Sequence, residues 1–115
     1  MIVVRNLEGR DAPQLLCDVC EQPITDGNMA AVVFKRSDES GEGATLHPLL
    51  YAHKGVCHRT AEQRLGGDEA TGWIELYQHL LHLLKNCGLP APELARLQGE
   101  HDRKFRDEDG SEWKL

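Results

Sequence analysis

Aromatic side chains, basic charge and long apolar runs are all in short supply in this chain of 115 residues. Two Trp, two Tyr and two Phe make up its 5% of aromatics. With so little bulk to bury, the core is thin, and a small domain of this kind gains from a staple such as a metal ion. Basic residues number 13 against 19 acidic ones, for a formal net charge of -6. That balance excludes indiscriminate attraction to phosphate backbones. The deficit is uneven: residues 1–66 hold seven basic and nine acidic residues, whereas 67–115 hold six and ten. A nucleic-acid contact would therefore use the first half. No apolar run approaches the roughly 20 residues that cross a bilayer. The opening residues MIVVRNLEGRD place charges where a secretory leader needs an apolar stretch. A cytoplasmic protein is the expectation. Thiols stay reduced there, so the four cysteines read as metal ligands or core residues rather than two disulfides.

The fold expected is α+β, with a finger at 1–66 and a helical extension at 67–115 that loosens from 107. Residues 2–5 can begin a strand, and 29–36 form a stronger one around Val32, Val33 and Phe34. The polar, glycine-rich stretch 37–44 reads as a hairpin loop, returned by a strand over 45–53. Pro48 lacks an amide donor, so that strand lies at an edge or is interrupted there. A helix from about Cys57 to Leu65 ends at Gly66-Gly67. Trp73, Leu76, Tyr77, Leu80, Leu83, Leu84 and Cys87 recur at steps of three and four, predicting a second helix capped by Asp68 or Thr71 and stopped by Gly88 and Pro90. A third covers 92–106, with Leu94, Leu97 and Phe105 on its apolar side.

Cys17 and Cys20 enclose two residues; His53 and Cys57 enclose three. Two such pairs separated by a hairpin supply the four ligands that tetrahedral zinc takes, and four ligands describe a closed, structural site. One Zn²⁺ per chain is expected. A ligand at a helix start also gains from the positive end of the helix dipole. His47 or His58 could replace His53.

The segment Cys17-Asp18-Val19-Cys20, then Pro23-Ile24, then His53-Lys54-Gly55-Val56-Cys57, resembles a treble-clef zinc finger of the group that includes LIM-type fingers. The resemblance covers about residues 14–66. It implies a knuckle, a hairpin and a helix whose first turn carries the last ligand. It does not imply a function.

Other constellations carry less. Pro23, Asp26 and Gly27 break any helix after Cys17 and Cys20, against a thioredoxin-like redox pair. Glu75, His79 and His82 are neighbours at helical spacing without a fourth ligand, and read as a solvated face. Cys87 reads as a small core residue. No catalytic grouping is visible, so no enzyme activity is expected. Two functions remain: an adaptor meeting a protein partner through Trp73, Leu76, Tyr77, Leu80 and Leu84, or a nucleic-acid-binding finger using Arg59 and Arg64.

Overall fold

Four consecutive residues, Ala30, Ala31, Val32 and Val33, are buried, so the first four residues of strand β3 (Ala30–Lys35) are covered on both faces. A strand covered on both sides reads as an unbroken apolar run and sits inside a sheet, with a neighbour at each edge. The structure, a computed structural model that describes residues 1–36 and 47–109, shows that arrangement. Strands β1 (Ile2–Leu7) and β2 (Arg10–Leu15) form a separate antiparallel hairpin ahead of it. β3 pairs antiparallel with β4 (Leu49–His53) on one side and β5 (Thr71–Glu75) on the other, in the order β4-β3-β5. β4 is an edge strand and begins directly after Pro48, whose carbonyl accepts from the Lys35 amide at 3.0 Å. Helix α1 (Val56–Arg64) joins β4 to β5, and Gly66 and Gly67, both at positive φ, end it where expected.

The two faces of β3 carry different contacts. On one, Val33 meets Cys17, Ala52 and Ala61, with Val19, Leu50, Cys57 and Leu65 packed around them. Small residues at 52 and 61 let α1 lie close on the sheet. On the other, Ala30 and Val32 meet Leu76, with Leu15, Tyr51 and Ile74 alongside.

Two expectations are corrected, and one strand was not foreseen. The helix predicted from Trp73 begins only at Leu76: α2 spans Leu76–Asn86, and Thr71–Glu75 is strand β5. The apolar steps of three and four ran across a strand into a helix, while β3's free edge demanded a partner. Leu76 is accordingly a core residue, 4% exposed, and Thr71 opens a strand instead of capping a helix. β2 went unread because Arg10–Leu15 contains Asp11 and Pro13, poor strand formers. Its turn relies on Glu8 and Gly9 at positive φ, with the Asn6 side chain accepting from the Gly9 amide. Finally, Cys87 is exposed, lying past the end of α2 where the chain turns at Gly88.

Helix α3 (Ala91–Asp109) outlasts the predicted 92–106, so 107–109 are helical. The predicted 37–44 loop, the Phe105 side chain and the end of the tail from 110, with Trp113, lie outside the described residues. The chain divides into two compact units, Met1–His79 and Leu80–Leu115. Among the described residues no helix is long and apolar enough to cross a membrane.

Val33 is fully buried in the first unit. Val33→Ala is expected to cost about 2–3 kcal/mol through lost burial and the cavity left behind, measured as a lower urea midpoint with unchanged slope.

Candidate metal centre

Leu16 and Pro23 form an isolated antiparallel bridge, and the chain between them makes a tight knuckle. The Cys17 amide donates to the Gln22 carbonyl at 2.9 Å, and the Glu21 amide donates to the Cys17 carbonyl at 2.9 Å. Glu21 sits at φ 62, the conformation that turns the knuckle back. This fold aims an amide at a sulfur: Val19 N–H donates to Cys17 Sγ at 3.4 Å. No helix starts at Cys20, as the redox alternative required.

The second pair comes from the junction of β4 and α1. His53 closes the strand and Cys57 lies in the first turn of the helix. Gly55 between them adopts φ 96, ψ -126, a conformation open in practice to glycine alone. The junction is tied down by Lys54 N–H donating to the Met29 carbonyl at 2.9 Å.

Folding brings the two pairs together. One ligand atom each from Cys17, Cys20, His53 and Cys57 lies within 4.8 Å of every other. Cys20 Sγ and His53 Nδ1 are 3.4 Å apart. Zinc bonds of about 2.3 Å to sulfur and 2.0–2.1 Å to nitrogen put a tetrahedral S···N edge at roughly 3.5 Å. This Cys₃His cluster can hold a metal ion, and its donor set suits zinc. His53 Nε2 lies 3.3 Å from the Pro23 carbonyl. A carbonyl only accepts, so Nε2 carries the proton and Nδ1 turns its lone pair toward the sulfurs. Such an outer hydrogen bond fixes the tautomer and aim of a ligating imidazole.

The alternative histidines are elsewhere. His58 Nε2 pairs with Glu62 Oε1 at 2.6 Å and meets the edge of Trp73. His47 lines a groove beside Phe34 and Arg36. The Glu75–His79–His82 grouping dissolves too. Glu75 ends a strand and pairs with Lys54 at 2.7 Å, while His79 Nε2 lies 3.2 Å from the Tyr51 hydroxyl. Among the described residues Cys17, Cys20, His53 and Cys57 form the sole metal-ligating group of this kind.

Asp18 has a role that spacing does not announce. Its amide donates to the Tyr51 carbonyl at 2.7 Å, and its Oδ2 accepts from the Tyr51 amide at 2.8 Å. The knuckle is thereby bonded to the outer edge of β4, two residues before His53. Burial and the Asp18 charge push the Tyr51 hydroxyl's pKa up. A bare Asp between two cysteines carries no signal of this, because the partner is 33 residues away.

The thiols are electrostatically unequal. Burial raises the Cys17 thiol, but hydrogen bonds from the Cys20, His53 and Val19 backbones and the Cys20 side chain outweigh it, bringing it down from 9.0 to about 6. Burial pushes Cys57 up to about 11, reinforced by hydrogen bonds and charge repulsion from Cys17 and Cys20. Cys17 is therefore poised as a thiolate at neutral pH, and a bound metal would have to displace the Cys57 proton.

Comparison with protein-family models, curated proteins and solved structures yields no match.

Protons compete with the metal for these sulfurs. Affinity should thus fall as pH drops, because the Cys57 proton must be displaced throughout the neutral range, and fall more steeply below about 6, where Cys17 is protonated as well, as read by competition with a chromophoric chelator. Gly55→Ala should cost about 1–3 kcal/mol of stability through backbone strain. Asp18→Ala leaves the Tyr51 amide without its acceptor and should cost about 1–3 kcal/mol, with Asp18→Asn milder. Chemical denaturation of the metal-loaded protein checks both.

Proposed function

We propose that the chain holds one structural Zn²⁺ at Cys17, Cys20, His53 and Cys57 in a treble-clef-like finger. It then serves in the cytoplasm as a small adaptor or regulatory protein. The observation that carries the zinc assignment is the convergence of three sulfurs and one imidazole within 4.8 Å, from two chain segments far apart in sequence. The order of elements supports the finger: knuckle, β3-β4 hairpin, then a helix with a ligand in its first turn. Bound zinc supplies a fixed tetrahedral node, and four protein ligands leave no open position for a substrate. The chain is accordingly read as non-catalytic.

Protein–protein contact draws support from the helices. Of the residues expected to meet a partner, Tyr77 and Leu80 are exposed and Leu84 is half-buried. Leu81 and Leu83 are exposed as well, at 53% and 42%. Leu76 leaves this surface for the core, and Trp73 belongs to β5. Apolar groups left in water at this density mark interaction surfaces. The nucleic-acid alternative draws less, because Arg64 Nη1 donates to the Asp18 carbonyl at 3.2 Å and is engaged with the knuckle.

Elemental analysis of protein purified without chelator should give one zinc per chain, and chelation should abolish the circular dichroism of the folded first unit. Absence of metal with an unchanged spectrum would refute the zinc assignment. Leu81→Asp should keep the zinc yet lose partner binding in cross-linking; retained binding would remove α2 as the adaptor surface.

A further inference from the structure

On the sheet face opposite α1, Val32, Phe34, Leu49 and Ile74 line a groove of about 460 Å³, and Lys35, Arg36, His47 and His79 complete it. That volume lies within the range of small-molecule sites, which combine an apolar lining with a few placed polar groups. The groove is separate from the cysteine cluster and shares no residue with it.

Two features give it a chemical preference. The first is charge. The chain carries a net charge of -6, yet the lining contains Lys35, Arg36 and two histidines, and no carboxylate among the described residues. Lys35, Arg36 and His47 have no side-chain partner among the described residues. The second is shape. Gly72 on β5 stands opposite Phe34 on β3. A Cβ at Gly72 would lie 2.7 Å from Phe34 Cζ and 3.2 Å from Arg36 Nε. Only a residue without a side chain lets the ring and the guanidinium both lie down over β5, which places a planar cationic fork beside an apolar floor.

We propose that this groove binds a small amphipathic carboxylate. Its carboxylate meets Arg36, with Lys35 beside it, and its apolar body covers Phe34, Leu49 and Ile74, above the buried Val32. The guanidinium fork matches a carboxylate's two oxygens, and such charge-assisted pairs exceed neutral hydrogen bonds in strength. An apolar body without the acid forgoes that pair, and an acid without the body forgoes burial on the floor.

The test is titration of the metal-loaded protein with decanoate, followed by the methyl resonances of Val32, Leu49 and Ile74. Decanol and acetate serve as controls. Saturable shifts at those methyls are expected, with both controls at least about tenfold weaker and Arg36→Gln weakening decanoate by about tenfold. Arg36 is exposed, so its replacement should leave metal content and circular dichroism unchanged; Lys35→Gln provides a second charge-removing variant. No saturable shift at the three methyls, equal binding of either control, or decanoate affinity unaltered by both variants would overturn the proposal.

Discussion

Everything in the first unit hangs on the meeting of a knuckle with a strand–helix junction. Cys17 and Cys20 come from one, His53 and Cys57 from the other, and their ligand atoms share one small volume. The surrounding core is too slight to enforce that meeting by itself. Its largest fully buried side chains are Val32, Val33 and Cys17, and alanines at 30, 31, 52 and 61 fill much of the rest. Burial on this scale yields little beyond the entropy lost in ordering the chain. A bound ion that recognises only the folded geometry adds its binding free energy directly to folding. In that light Cys17 is both a core residue and a candidate ligand, so the same side chain would link packing to coordination.

The supports around the cluster divide the work. The Pro23 carbonyl fixes which histidine nitrogen faces inward. Asp18 fastens the knuckle to β4 through Tyr51, ahead of the ligand at the end of that strand. Gly55 supplies the backbone conformation that carries the chain from His53 into the helix bearing Cys57. Each acts through another residue, and together they hold the four candidate ligands in place with a core of modest size.

The four candidate ligands were legible in the sequence because spacing alone groups them: each pair is local, and a hairpin between pairs was visible in the run around Val32 and Val33. The choice of His53 over His47 and His58 was open until geometry placed His58 against Glu62 and His47 beside a groove. Strand β5 was not legible as such, since Trp73 and Leu76 fall at helical spacing while belonging to different elements. The missed clue lay in β3, whose four consecutive buried residues require two neighbours. β2 was hidden by Pro13 and Asp11, and the Asp18–Tyr51 contact by its sequence separation. Local patterns thus grouped the candidate ligands that folding brings together, and reported non-local pairings poorly.

The metal cluster and the helices divide the proposed tasks, one fixing a scaffold and the other meeting a partner, and both rest on the ligand set being as assigned. Zinc K-edge X-ray absorption on protein purified without chelator tests that set most directly. The expected result is a four-coordinate shell of three sulfurs at about 2.3 Å and one nitrogen at about 2.0 Å. A shell with fewer than three sulfurs, or one dominated by oxygen, would contradict it.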